Sequence, residues 1–342
     1  MLIARLQDRI TGKSSVTPLP DQPGTLDEDC TFSEEEVRQI NDLVAGASIH
    51  VGTVFCIALV FGLPGSVLAL VSLFSKAVSP TKRYMSFLAI SDFAALLLAN
   101  PTVYNITREP PSEILISVYF YRVFQTLSHW ILVMICQERF VSVRYPFLKS
   151  RLYTRRATFL SFGAAFIMSL VLCFVGFSID FYKDRRFPFA LILGQTILQQ
   201  LIYIIIPGDL IKVFTILTAC HLRSTIRHRQ TIATQAEQNS RLSVTMETQL
   251  TRIMVVTVVC FAVLTFPLAF FNIFLYVKIN KTKNLDCRFV LNFIINSDTF
   301  FTLWAFSFLN HAINLYVYCA CAKGFRDQFV RVISCKKTKT RR

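Results

Sequence analysis

The hydrophobic positions of this 342-residue chain fall into seven long runs that are separated by shorter polar segments. A helix needs about 20 largely apolar residues to cross the hydrocarbon core of a bilayer, and each run is long enough to do so. The pattern therefore predicts seven transmembrane helices, although charged residues interrupt the third and fifth runs. The runs lie at residues 50–74, 84–104, 114–137, 157–179, 190–220, 250–277 and 289–318, and the interrupting residues are Arg122, Asp209 and Lys212.

Composition and charge agree with a membrane protein and orient it. Hydrophobic residues make up 53% of the chain and charged residues 17%, which is a lower charged share than soluble domains carry. Most of the 36 Lys and Arg residues lie in the tail and in the loops after the first, third and fifth runs. The positive-inside rule places these segments in the cytosol and the N-terminus outside. Because the net charge of +15 is divided among four membrane-bounded segments, nucleic-acid binding is not expected.

Five short residue groups stand in a fixed order on the runs. They are Ser91-Asp92, Glu138-Arg139-Phe140, Pro207, Phe261 with Pro267, and Asn314-Leu-Tyr-Val-Tyr318. This order resembles that of the rhodopsin-like (class A) G-protein-coupled receptors, in a divergent form of the invertebrate peptide-receptor type. The resemblance implies an all-α membrane protein, namely a seven-transmembrane helix bundle with a short amphipathic C-terminal helix. It also implies a ligand-operated switch in the plasma membrane, without enzymatic activity.

Three segments are expected on this basis. Residues 1–49 form an acidic extracellular segment that is mostly disordered, and residues 50–321 form the receptor bundle. Residues 322–342 form an amphipathic helix lying on the membrane, followed by a basic cytoplasmic tail.

The resemblance assigns the G-protein switch to the cytoplasmic ends of the helices. Arg139 would pair at rest with Glu138 and Glu247, and the release of these pairs would let it contact a heterotrimeric G protein when the sixth helix moves outward. Arrestin is a further expected partner. The other residues assigned to the switch are Phe140, Pro146, Phe147, Asn314 and Tyr318.

Two prolines inside apolar runs predict hinges. Pro207 and Pro267 each remove a backbone hydrogen bond and kink a helix. By family position, His129 packs between Pro207 and Phe261, where the family prefers an aliphatic residue. A structural histidine is one interpretation, and a pH-sensitive connector is the other.

Asp92 lies in the middle of the second run, where a carboxylate is costly unless it has a partner or lines a wet cavity. The resemblance implies an allosteric sodium ion held by Asp92, Ser128, Asn310 and Asn314, all of which offer oxygen donors suited to a hard cation. The alternative is a protonated Asp92 bonded to the two amides. No other cofactor is expected.

The ligand set implied by the resemblance favours an extracellular peptide. Tyr121 stands where amine receptors keep an aspartate, so an amine is not expected, and the seventh run has no lysine for a retinal Schiff base. Arg122 is a cation in the outer half of the bundle, which suits a peptide or a small acid, although it could instead pair with Asp180 or Asp298. The expected ligand-binding residues are Tyr121, Arg122, Gln125, Gln199, Asn272, Asp298 and Trp304.

Several modifications follow from this topology. Of ten cysteines, Cys30 and Cys287 face the oxidising side, so they are expected to form a disulfide, with two free thiols as the alternative. Asn280 and Asn105 each begin a glycosylation sequon. Cys335 follows the amphipathic helix and is a candidate for palmitoylation.

Departures from the family pattern leave two other readings open. Leu264 and Thr265 stand where the family has Cys and Trp, Leu315 replaces the Pro of Asn-Pro-x-x-Tyr, and Thr215 replaces a fifth-helix Tyr. A degenerate receptor of the same fold that does not signal is one alternative. A small transporter is the other, although the chain has no repeated halves.

Overall fold

The fold is a bundle of α-helices, which confirms the predicted fold class. The computed structural model describes residues 34–74, 79–104, 112–182, 189–232, 237–281, 287–321, 326–327 and 330. A π-helical turn, Leu201–Ile205, joins the helices Phe189–Gln200 and Ile206–Ile232. The helices are α1 (Glu34–Phe74), α2 (Pro80–Tyr104), α3 (Ser112–Arg144), α4 (Pro146–Leu152), α5 (Arg155–Tyr182), α6 (Phe189–Gln200), α7 (Ile206–Ile232), α8 (Glu237–Lys281), α9 (Cys287–Ala312) and α10 (Asn314–Cys321).

The long helices pack in a closed ring with α3 inside it. Helix α1 contacts α2 and α9, α7 contacts α8, and α8 contacts α9. Helix α3 packs against α2, α5 and α7. A movement of any of these three helices therefore changes contacts with residues on α3.

The bundle is apolar outside and partly polar inside, which is the distribution expected in lipid. Val60, Ile167 and Ile216 are more than 60% exposed, whereas Asp92, Ser128 and His311 are at most 1% exposed. Since lipid cannot hydrogen-bond polar groups, these groups must find partners within the protein.

Four described helical segments are long and apolar enough to cross a membrane by length and composition alone. They are Val51–Val71, Arg155–Gly176, Ile197–Arg227 and Thr248–Leu275. The second, third and seventh predicted spans are not among them. These three spans supply Asp92, Ser128 and His311 to the interior, and such polar residues lower their mean hydropathy.

The helix boundaries differ from the predicted spans at several places. Helix α1 begins at Glu34, inside the segment expected to be mostly disordered, and α3 continues to Arg144. The seventh span is interrupted at Ile313, although Leu315 replaces the family's proline. Backbone hydrogen bonds still join Ile313 to Leu309 and Val317 to Ile313, each at 3.0 Å, so the helical hydrogen bonds continue through this irregularity.

Several sequence predictions fall outside the described residues. Cys30, Asn105 and Cys335 lie there, as does most of the predicted amphipathic helix. The disulfide, the glycans and the palmitoyl group therefore stay predictions. The side chains of Glu247, Asn280, Cys287 and Asp298 lie outside the described set as well, although their backbones are helical.

The fifth span contains a helix irregularity that explains the unusual His129. Pro207 has no N–H to donate to the carbonyl of Tyr203, four residues earlier. The Nδ1 atom of His129 lies 2.7 Å from this carbonyl oxygen. Because a carbonyl only accepts, Nδ1 carries the proton and His129 donates. The contact supports the structural reading of His129, which supplies a hydrogen bond that the proline cannot make.

This account makes the His129 contribution depend on Pro207. We expect His129→Leu to lower the free energy of unfolding by about 1–3 kcal/mol, because it leaves the Tyr203 carbonyl buried without this donor. In a Pro207→Ala background the backbone N–H is restored, so the same substitution should cost less. The melting temperatures of the wild type, His129→Leu, Pro207→Ala and the double variant, all in one detergent, give this double-mutant cycle. Equal losses in the two backgrounds would contradict the account.

Candidate functional site

A buried polar cluster around Asp92 joins four helices. Ser128 of α3 donates to Asp92 Oδ1 at 2.5 Å, and Asn314 of α10 donates to Asp92 Oδ2 at 2.6 Å. His311 of α9 places Nδ1 2.8 Å from Oδ1. The carboxylate on α2 is therefore a shared acceptor for three other helices, and its position fixes theirs.

Two predicted partners of Asp92, Ser128 and Asn314, are in contact with it, and His311 is an additional one. Asn310 is 3% exposed, one residue before His311, but His311 makes the contact with the carboxylate. His311 and Asn314 are three residues apart in sequence, a spacing that puts side chains on one helical face. This spacing was the sequence signal that could have identified His311.

The sodium ion stays a prediction at this cluster. A hard cation prefers several oxygen ligands in an open shell. Here both carboxylate oxygens already accept hydrogen bonds, and a ring nitrogen of His311 lies against Oδ1. In this arrangement the side chains fit an internally satisfied carboxylate better than a sodium site.

A stack of rings connects the Asp92 cluster to α8. The rings of His311 and His129 are nearly parallel, with an interplanar angle of 11° and centroids 6.0 Å apart. His129 in turn meets Phe261 of α8 edge-on, with centroids 4.9 Å apart. His129 thus contacts Phe261, and His311 extends this contact to Asp92.

A second buried carboxylate, Glu138, lies near the C-terminal end of α3 with no exposed area. Arg139 Nε is 3.0 Å from Glu138 Oε2, the ion pair that the sequence predicts. Lys149 Nζ of α4 lies 3.1 Å from Oε1, and Thr81 of α2 donates to Oε2 at 2.9 Å. Ser142 also donates to Oε1 at 3.1 Å. Glu138 therefore has two cationic partners and ties α2 and α4 to α3.

Helix α4 presents an apolar and basic surface next to this carboxylate. Phe147 is 93% exposed, whereas Lys149 on the same helix turns inward to Glu138. Tyr153 follows α4 and is partly buried; burial raises its pKa to about 12, and Tyr84 and Glu138 add to the effect. Its hydroxyl therefore stays neutral at physiological pH. Pro146 begins the helix and fixes its first turn.

Arg139 also borders a small cavity between α3, α8 and α10. Its walls are mostly apolar, and Tyr318, which is 4% exposed, closes one side. Phe140 lies beside the cavity and packs against Phe214 of α7, with ring centroids 6.0 Å apart. The lining residues are Met85, Leu132, Ile135, Cys136, Arg139, Leu250, Ile253, Met254, Thr257 and Tyr318.

The predicted ligand residues lie partly within an aromatic cluster. The rings of Tyr121 and Trp304 meet edge-on with centroids 6.4 Å apart, and Phe308 contacts both. Tyr121 is only 3% exposed, so in this state its ring is covered by protein.

The other ligand residues are distributed around this cluster. Arg122, Gln125, Gln199 and Asn272 are half-buried. Gln199 packs over Gly176 of α5, where the absent side chain leaves room for it. The ligand set as a whole stays a prediction.

Sequence reasoning missed Thr81 and Lys149 as partners of Glu138. Thr81 is far from Glu138 in sequence, and Lys149 lies on the next helix along the chain, so periodicity within one helix gives no signal for either. Lys149 lies in a seven-residue helix with no buried residue, which reads as a solvated basic loop.

The comparison with known families agrees with the geometry. A family model described as 7 transmembrane receptor (rhodopsin family) matches residues 65–318. The matched region contains both buried carboxylates, the two prolines and Tyr318. A search of curated proteins finds no match. Because the family match covers well over half of the 342 residues, the chain belongs to the rhodopsin family of seven-transmembrane receptors.

Proposed function

We propose that this receptor binds an extracellular peptide and activates a heterotrimeric G protein through outward movement of the cytoplasmic half of α8. The observation that carries the proposal is the burial of Glu138 against Arg139. An arginine side chain that is 12% exposed cannot reach a partner in the cytosol until this contact opens. The arrangement is that of a receptor at rest.

The cavity beside Arg139 supports the direction of the movement. Leu250, Ile253 and Met254 of α8 form one wall, and Tyr318 of α10 forms another. These contacts are apolar and non-directional, so α8 can separate from α3 without leaving buried charges unpaired. Outward movement of α8 would uncover Arg139 and make room for a G-protein segment.

The distribution of charge supports the orientation in the plasma membrane. Arg144, Arg151, Arg155 and Arg156 are all exposed at the end of the bundle that carries Glu138. Such a basic surface suits the anionic inner leaflet and an acidic partner protein. The N-terminus is then extracellular, and arrestin would meet the same cytoplasmic face.

A peptide ligand is supported by the amphipathic character of the outer half. Arg122 offers a cation beside the Tyr121, Trp304 and Phe308 rings, and Gln125 and Asn272 add amide groups. A ligand with both apolar side chains and an acidic or amide group would use these residues together.

The experiment that tests the function is a screen of peptides in cells that express several G-protein reporters. We expect at least one peptide to raise the signal, and Arg139→Ala to abolish the response while peptide binding is retained. A matched control is Arg144→Ala, which removes an exposed cation of the same helix. A response that survives in Arg139→Ala would contradict the assigned role, and a receptor that binds peptide but activates no reporter would favour the degenerate alternative.

The charge of Glu138 should restrain basal signalling. Glu138→Gln keeps the size and one of the two acceptor oxygens that Thr81 and Ser142 use, but it removes the charge that attracts Arg139 and Lys149. A change of about 1.4 kcal/mol shifts a two-state ratio tenfold. We therefore expect basal coupling to rise several-fold at matched surface levels. Unchanged basal coupling would contradict the restraint.

Lys149 should have the opposite effect to Glu138. When Arg139 leaves, Lys149 remains as the counter-ion of the buried carboxylate, so it lowers the cost of the active state. We expect Lys149→Met to reduce both basal and peptide-stimulated coupling several-fold. Arg151→Met, on the same helix but exposed, is the matched control and should have little effect. A rise in basal coupling in Lys149→Met would show that Lys149 holds the resting state instead.

A further inference from the structure

An ion pair lies on the outer surface of α7, where lipid would be expected. Lys212 Nζ is 3.0 Å from Asp209 Oδ1, with the two side chains 36% and 60% exposed. The sequence spacing of three residues allows this contact within one helix. Because Asp209 is largely exposed, the pair lies at the surface of the bundle.

The depth of this pair in the membrane makes its exposure costly. Both residues lie near the middle of the candidate span Ile197–Arg227. Asp209 is about 21 Å along the helix axis from Arg223, the first exposed arginine on the cytoplasmic side. An aspartate side chain is far too short to reach water over that distance. Charged residues at such depth normally face protein or a wet cavity.

The surface around the pair is otherwise apolar. On α7, Ile206, Val213 and Ile216 are exposed by 43%, 50% and 61%. On the neighbouring α8, Val263 and Phe270 are exposed by 65% and 60%. The acid and the base are therefore an isolated polar site within a lipid-like face.

Lys212 is better satisfied than Asp209. Its ammonium group lies 4.0 Å from the ring centroid of Phe266 on α8, a cation–π distance, and it also contacts Asp209. Within the part of the chain that the structure describes, Asp209 accepts a side-chain hydrogen bond from Lys212. The carboxylate thus has capacity for a second donor on its exposed side.

We propose that a second copy of this chain packs against α7 at this point, with Asp209 of each protomer paired to Lys212 of the other. In two parallel α7 helices related by a twofold axis, Asp209 of one protomer and Lys212 of the other lie about 4.5 Å apart along the helix axis. A lysine side chain can span this offset. Each carboxylate then gains a second cation, and all four charges become buried. Polar contacts of this type hold membrane helices together.

Two features favour a second copy over other occupants. The site carries one acid and one base, so it is neutral and complementary to itself, and a partner of one charge sign would leave one of them unpaired. A lipid headgroup is excluded by depth, since phosphates lie at the membrane surface. The proposal does not depend on the ligand or on a G protein.

Charge reversal tests the proposal in the full-length receptor. Two differently tagged copies are co-expressed at matched surface levels, and their association is measured by energy transfer and by co-purification. We expect Asp209→Lys alone and Lys212→Asp alone each to weaken self-association about tenfold. Co-expression of the two single variants should restore association, because the opposite charges then meet across the interface.

Two further variants separate association from folding. The double exchange, Asp209→Lys with Lys212→Asp, keeps the pair and should self-associate like the wild type. Ile216→Cys should cross-link as a disulfide dimer, whereas Ile167→Cys on α5, which is also 61% exposed, should not. The exposed Cys56 and Cys220 are replaced by serine for this comparison.

Three results would overturn the proposal. The first is wild-type association in either single reversal, and the second is failure of the mixed single variants to recover association while each reaches the surface. The third is a monomeric wild type, or a wild type associated only with a different membrane protein through α7. In each case the pair would be a local contact within one helix.

Discussion

The burial of two carboxylates, Asp92 and Glu138, is the constraint on which the bundle depends. Both are nearly or fully inaccessible, and the membrane interior offers no water to solvate them. Each must therefore be satisfied by side chains from other helices. Asp92 collects donors from α3, α9 and α10, and Glu138 collects partners from α2 and α4 as well as from α3 itself. Removal of either carboxylate would leave several buried donors without an acceptor.

The two carboxylates differ in what they are bonded to, and this difference separates their roles. Asp92 is held by a hydroxyl, an amide and a histidine ring, which suits a fixed structural centre. Glu138 is held by two cations and by hydroxyl groups, so one cation can leave while the charge stays partly compensated. The first cluster can hold the helices in register, and the second can release Arg139 at a moderate cost.

The ring stack offers a physical connection between the Asp92 cluster and α8. His311 contacts Asp92, His129 stacks on His311, and Phe261 of α8 meets His129. His129 also binds the Tyr203 carbonyl in the π-helical turn before Pro207. A displacement of α7 at this turn would therefore shift His129, whose ring packs against Phe261 of α8.

The sequence predicted the class of fold and most residues of the two carboxylate clusters, but it did not predict all of the partners of Asp92 and Glu138. Seven apolar runs and the order of the motifs were sufficient to place Asp92, Ser128, Asn314, Glu138 and Arg139. His311, Thr81 and Lys149 were missed because their importance arises from contacts between different helices, which the periodicity of a single helix does not show. The sequence marks His129 as unusual, and its contact with the Tyr203 carbonyl, to which Pro207 has no N–H to donate, gives the physical reason.

We propose that the charge on Glu138 holds Arg139 in its buried position at rest, and that α8 moves away from α3 when this ion pair opens. Spin labels at positions 144 and 252, both exposed and on α3 and α8, allow the distance between the two helices to be measured in lipid nanodiscs. We expect a single short distance in the wild type and a second, longer distance in the Glu138→Gln receptor without ligand. Identical distance distributions in the two receptors would contradict the account.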